Sequence, residues 1–309
     1  MSIEPAIHPL RGGPFDLGDE AAYRRWRERK LENYPAAVGE LVVEVADPFS
    51  LSAAEHTALL DRCRRANMAV YAGNPRKIND KEAVRALGRQ FGLERLDSNL
   101  LADDDGITSL RVVAGEKRGA FIPYTDKPIN WHTDGYYNTP EHWIRAMLLH
   151  CVQPAAAGGE NALMDPEVAY ILLRDANPAH VAALMEPDAM TIPPNDEPGA
   201  DYRGAQGGPV FSVDASGTLH MRYTARKRNI VWKDTPAVRA AVQALEELLG
   251  GPSPYIFRHT LASGQGYLCN NVLHTRSRFE DAAGAERLLY RARYFDRMAG
   301  TSYHDVYGD

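Results

Sequence analysis

The sequence predicts an α+β fold: a mainly helical N-terminal part (1–105), then a β-rich core (106–300) of sandwich or jelly-roll type interrupted by helices. Three observations predict it. Capped helical patterns fill the first third. From Ile107 onward, short runs rich in branched and aromatic residues alternate with Gly, Pro, Asn or Asp clusters, as an antiparallel sheet protein requires. Within that region, a capping residue three times stands directly before a proline that opens an apolar stripe. No repeat and no Pro- or Gly-rich linker divides the 309 residues, so the chain reads as a single domain, 1–309.

Taken in order, the charged segment 19–32 reads as a solvated surface helix. Ser52 with Glu55 forms a capping box and predicts a helix over about 53–65. A further helix follows Asp80, with Val84, Leu87 and Phe91 on one face and Gly92 at its end. Strands are expected at 107–113, 144–150, 208–213, 219–223, 266–274 and 288–295. Asp165-Pro166 and Asn177-Pro178 start helices within about 165–187. Thr235-Pro236 starts another over about 235–250, which Gly250-Gly251 ends.

Composition narrows the function. There are 35 basic and 41 acidic residues, a net charge of −6, and no long basic block, the opposite of a nucleic-acid or polybasic membrane binder. The N-terminus has no apolar signal region and no apolar run reaches spanning length. Cys63, Cys151 and Cys269 are scattered, as small buried hydrophobes in a reducing compartment would be. The expectation is a cytoplasmic protein with a small-molecule partner, with neither nucleic acid nor membrane. The sequence is also compatible with a homo-oligomer.

The segment Pro128 to Asn138 carries the chemistry. His132 and Asp134 alternate along an extended strand, so their side chains project to one face. With His274 as a third ligand they would form two histidines and a carboxylate on one face of an octahedral ion. That set suits non-haem Fe(II) because it leaves positions open for a bidentate cosubstrate and dioxygen. The pair alone is weak, and His142, His150, His220 and His259 each read better as satisfied structural histidines. Downstream, Arg287, Arg291 and Arg293 share a strand face, where a guanidinium fork could pair with the distal carboxylate of a keto diacid.

Together, His132-Thr-Asp-Gly-Tyr-Tyr137, the turn Gly158-Gly-Glu-Asn161, Leu273-His-Thr-Arg-Ser-Arg-Phe279 and Arg287-Leu-Leu-Tyr-Arg291 resemble the taurine dioxygenase-like superfamily of Fe(II)/2-oxoglutarate oxygenases. The likeness is closer to the γ-butyrobetaine and trimethyllysine hydroxylase branch, whose Leu-His-Gly-Arg-x-x-Phe run is matched by Leu273, His274, Arg276 and Phe279. It extends from about Tyr124 to Asp296, with Thr275 in place of the usual Gly and Cys269 in place of a common Asn. The resemblance implies a double-stranded β-helix (jelly-roll) core and Fe(II) held by His132, Asp134 and His274. It implies 2-oxoglutarate held by Arg287, with Arg291 as the fallback and Asn161 donating to the same carboxylate. The implied reaction uses O₂ to oxidise, and most simply hydroxylate, an unactivated C–H of a small molecule, releasing succinate and CO₂.

For the substrate side, Tyr124, Tyr136 and Tyr137 offer aromatic surface near the metal, against a plain core role for each. Arg222 resembles a substrate-lining position, while Arg226-Lys227-Arg228 reads first as a solvated charge run. The turn-rich segment 192–206 is a candidate lid. Two alternatives stand beside the oxygenase. One is a metalloenzyme on the same scaffold that does not use 2-oxoglutarate (a cofactor-free dioxygenase or Zn hydrolase) and has no need of Arg287. The other is a non-catalytic binding module.

Overall fold

The computed structural model describes residues 12–98, 105–113, 121–195 and 203–308. It is a mixed α/β architecture with several sheets. Three helices come first: α1 (Glu20–Glu32), α2 (Ala53–Ala66) and α3 (Lys81–Arg89). The Ser52–Glu55 capping box and the Asp80 cap form as their residue types dictate. The reading of α1 as a solvated helix is corrected. Tyr23, Trp26 and Lys30 are buried, and the Tyr23 hydroxyl donates to Asp175 Oδ1 at 2.7 Å. Phe15 and Tyr170 meet the Trp26 ring edge-on. Only these few positions of an otherwise charged helix face inward, too narrow a stripe to stand out from its polar neighbours.

Strands of the first half are β1 (Val42–Val45), β2 (Met68–Gly73), β3 (Thr108–Leu110), β4 (Ile129–His132), β5 (Ala146–Gln153), β6 (Ala157–Gly158) and β7 (Asn161–Met164). Then come α4 (Pro166–Ala176), α5 (Pro178–Leu184), β8 (Met190–Ile192), β9 (Gln206–Gly208), β10 (Phe211–Val213), β11 (Leu219–Met221) and β12 (Val231–Trp232). The chain finishes with α6 (Pro236–Gly250), β13 (Phe257–His259), β14 (Gln265–Cys269), β15 (Leu273–Arg276), β16 (Phe279–Glu280), β17 (Leu288–Tyr294) and α7 (Tyr303–Tyr307). Asp165, Asn177 and Thr235 accept from backbone N–H groups in the first turns of α4, α5 and α6. The prolines cost nothing there because the first helical N–H has no intrahelical partner.

The larger sheet has six strands in the order β1-β2-β14-β5-β17-β3, and a four-stranded sheet runs β13-β7-β15-β4. Along β5 and β14 the side chains alternate between two cores. Leu148 and Leu268 join α2 and α3 in one cluster, while Met147, Leu149, Tyr267 and Cys269 share another with Leu163 and Phe257 of the second sheet and with Val272 just before β15. Leu289 of β17 lies in this inter-sheet cluster, so Arg291 and Arg293, two and four residues further along the same strand face, also face the four-stranded sheet. The run expected as one strand over 266–274 is two strands in different sheets. The chain turns at Asn271, whose φ of 50° is left-handed, a conformation that Asn tolerates better than most residues. Among the described residues no helix is long and apolar enough to cross a membrane.

Candidate metal centre

Strand register brings the two histidines together. His274 of β15 lies opposite His132 of β4, with ring centroids 4.2 Å apart. Asp134 lies just beyond β4, before Gly135, whose φ of +65° starts the turn; a Cβ there would meet Ile144 Cγ1 at 2.5 Å. One ligand atom from each of His132, Asp134 and His274 lies within 4.8 Å of the others. They are the one such group of three metal-ligating side chains among the described residues.

Each side chain of the group is held by a second contact. His132 Nδ1 lies 2.9 Å from the Asn130 carbonyl oxygen, and His274 Nδ1 lies 2.9 Å from that of Val272. A carbonyl can only accept, so both Nδ1 atoms carry the proton and each Nε2 keeps its lone pair. Burial and the neighbouring His274 push His132 down to about 3, and burial likewise lowers His274. Both rings are therefore neutral at pH 7, the form that binds a metal.

Burial alone would raise the Asp134 carboxyl, but Arg291 and Arg293 outweigh it and hold the group well below the usual carboxylate range. Arg291 Nη1 donates to Asp134 Oδ1 at 3.1 Å, and Arg293 Nη1 lies 3.8 Å from the same oxygen. Asp134 Oδ2 is buried without a partner among the described residues. A buried anionic oxygen left over beside two imidazole lone pairs is what a divalent cation would satisfy.

Asn271 is a residue the sequence reading passed over. Its side-chain oxygen accepts from Asp134 N at 2.8 Å, and its amide nitrogen donates to the carbonyls of Asp134 and Ile144 at 3.0 and 2.7 Å. The loop carrying Asp134 is thus tied to the corner from which the strand of His274 departs.

The remaining candidates separate. Arg287 is 4% exposed and lines a cavity with Cys151, Gly158, Asn161, Thr260 and Leu289. Its guanidinium lies 4.8 Å from the Phe279 ring, with Arg276 at 4.9 Å from the same ring. Among the described residues it forms no side-chain hydrogen bond or ion pair. Asn161 Nδ2 donates to the Thr275 carbonyl at 2.8 Å. Arg291, by contrast, is engaged with Asp134. Tyr137 OH accepts from Arg293 Nη1 at 3.1 Å, and Tyr136 packs edge-on against Tyr137. Tyr124 is buried in the inter-sheet core. Arg222 is 3% exposed and donates to the carbonyls of Met190, Gln206 and Gly208. It fastens β8 and β9 rather than facing the metal group. The candidate lid falls partly on 196–202, outside the described residues.

Comparison with known proteins gives this constellation a context. The sequence model of the family described as "Taurine catabolism dioxygenase TauD, TfdA family" matches residues 29–293. A uridine-5'-phosphate dioxygenase from Amycolatopsis sp is 32% identical over 170 residues, 53% of this chain and 60% of that protein. The chain thus matches less than two thirds of the length of this relative. A uridine-5'-phosphate dioxygenase from Streptomyces sp is 28% identical over 233 residues, 68% of this chain and 77% of that protein. Among solved structures, the non-heme iron oxygenase OrfP in complex with Fe and alpha-ketoglutaric acid superposes with a TM-score of 0.59. It is 14% identical, covering 79% of this chain and 80% of that one. The expected likeness to the γ-butyrobetaine branch finds no support in these relatives.

Proposed function

Because the chain belongs to the taurine catabolism dioxygenase TauD, TfdA family, we propose that it is an Fe(II)- and 2-oxoglutarate-dependent dioxygenase hydroxylating a small molecule. The observation that carries this reading is a carboxylate with a buried oxygen, Asp134 Oδ2, that has no partner among the described residues, grouped within 4.8 Å with two histidines whose free nitrogens are Nε2. In this reading the six- and four-stranded sheets are the two walls of a double-stranded β-helix, with the metal between them.

His132, Asp134 and His274 hold Fe(II). Arg287 pairs with the distal carboxylate of 2-oxoglutarate, and the second N–H of Asn161 Nδ2 donates to it. Arg291 is assigned to Asp134, which it keeps anionic, rather than to the cosubstrate. When bound, the metal supplies activation of O₂: one oxygen atom goes to succinate as CO₂ leaves, and the other to the substrate carbon, turning C–H into C–OH. The protein's part is to fix the ligand atoms, supply the counter-charge and enclose the reacting carbon. The curated relatives make a nucleoside 5'-phosphate the first substrate class to test.

The test is anaerobic addition of Fe(II) and 2-oxoglutarate, followed by the weak visible charge-transfer band of the chelate. Wild type should develop the band. Arg287→Ala should need about 10- to 100-fold more 2-oxoglutarate, the loss of one charge-assisted pairing. No band with metal demonstrably bound would overturn the reading.

A further inference from the structure

Arg203 is a half-buried cation with almost nothing to neutralise it. Its backbone N–H and C=O pair with those of Asn195 at 3.1 and 2.8 Å. Nη2 donates to the Pro193 carbonyl at 3.0 Å, while Nη1 is buried and has no partner among the described residues. Burial lowers the basicity of the group, and among the described residues no carboxylate forms an ion pair with it. In Arg62, Arg174, Arg222, Arg276 and Arg291 the buried nitrogen without a partner among the described residues is Nε. Arg203 is the one described arginine whose buried, partnerless nitrogen is terminal. A terminal nitrogen carries two N–H donors where Nε carries one, so the lost hydrogen bonding is larger.

Its location ties this deficit to the metal group. The guanidinium carbon lies 5.7 Å from the centre of the Tyr137 ring. The Tyr137 hydroxyl accepts from Arg293, whose Nη1 is 3.8 Å from Asp134 Oδ1 and whose Nη2 pairs with Asp97. Arg293 is thereby neutralised by Asp97 and Asp134, as Arg291 is by Asp134. Arg203, on the other side of Tyr137 in this chain of contacts, is not. A guanidinium removed from water without a counter-ion is costly, and an anion from solution is the partner that would relieve it.

We infer that Arg203 forms an oxyanion subsite, with Tyr137 as its wall, for a phosphoryl or carboxylate group on the substrate. The inference rests on the dioxygenase reading above and extends it: Arg287 takes the anionic end of the cosubstrate and Arg203 that of the substrate. Tyr137 sets the spacing, because Arg293 fixes its hydroxyl and the guanidinium lies against its ring. A neutral substrate of the same shape would leave Arg203 in its unpaired state and bind more weakly.

Anaerobic calorimetry on protein loaded with Fe(II) and 2-oxoglutarate tests this, with uridine 5'-phosphate, uridine, sulfate and acetate as probes. Wild type should show saturable binding of uridine 5'-phosphate or of one simple anion. Arg203→Gln should weaken that binding by about 10- to 100-fold, with Arg203→Lys recovering part of it. The 2-oxoglutarate requirement of the charge-transfer band should be unchanged in both variants. Sulfate binding in preference to acetate points to a phosphoryl group on the substrate, and the reverse to a carboxylate. The subsite is overturned if none of the four probes binds wild type, or if Arg203→Gln binds the anion as tightly. A missing band in wild type would overturn the dioxygenase reading separately. The Arg203 dependence of anion binding would then still be readable in the metal-free protein.

Discussion

Asn271 shows how a residue without metal-binding chemistry can govern a metal site. Its side chain makes three hydrogen bonds to backbone groups of Asp134 and Ile144, and its own backbone is left-handed. Asn271→Gly keeps that conformation accessible and removes only the side-chain bonds. It should weaken Fe(II) binding about 10- to 100-fold, as loss of an orienting contact does, read by competition with a chelator. Asn271→Ala should lose at least as much and add about 1–2 kcal/mol of left-handed strain. Equal Fe(II) affinity in wild type and Asn271→Gly would show that the Asp134 loop holds its place unaided. The metal-ligating candidates were legible in the sequence because few residue types can bind a transition metal, and these stand in a recognisable order. Asn271 was not legible: its partners are backbone groups, which every residue carries. Arg222 stood out by resemblance and Tyr124 as an aromatic preceding the His132–Asp134 pair, and the structure places one against backbone carbonyls and the other in the core.

Short elements position the proposed cosubstrate end of the site, and their tolerance is set by close approach. A Cβ on Gly158 would lie 2.2 Å from the Arg278 carbonyl and 3.0 Å from Phe279 Cα, whereas the nearest atom to one on Gly159 is at 3.6 Å. Both glycines have positive φ, so alanine strains each by about 1–2 kcal/mol, but only at Gly158 must the backbone of β16 retreat. That strand carries Phe279, the ring beneath Arg287. Gly158→Ala should therefore raise the 2-oxoglutarate concentration needed for the charge-transfer band well above that of Gly159→Ala, with both variants melting below wild type. Similar requirements in the two variants would separate Arg287 from the β6–β16 pair. Helices were read well at this scale because caps and prolines are local: α2, α4, α5 and α6 begin where Ser52, Asp165, Asn177 and Thr235 place them. The strand β2 was missed because nearly every residue in it is buried, and a strand covered on both faces lacks the alternation that marks one.

Across the whole molecule, the N-terminal helix is joined to the metal corner by one buried polar chain. Lys30 Nζ lies 2.7 Å from Asp165 and 2.6 Å from Glu167. Asn67 Nδ2 donates to Asp165, and Asn67 Oδ1 accepts from Asn270, the neighbour of Asn271. Burial pushes both carboxyls upward, and the Lys30 ammonium is the largest influence opposing it. Lys30→Met keeps the bulk and removes the charge, leaving two carboxylates together out of water. Such a broken buried pair costs about 3–5 kcal/mol, and the sign of its pH dependence follows. Without Lys30 the folded-state pKa of at least one carboxyl lies above its unfolded value near 4. Stability is then retained below that value and lost as pH rises toward the folded pKa, by up to about 1.4 kcal/mol per pH unit for each such group. The variant's deficit against wild type in urea unfolding should accordingly be larger at pH 8 than at pH 5. An equal deficit at both pH values would assign the loss to packing around α1, and Lys30 would then act as a filler of space rather than as the counter-charge that fastens the first helix to the core.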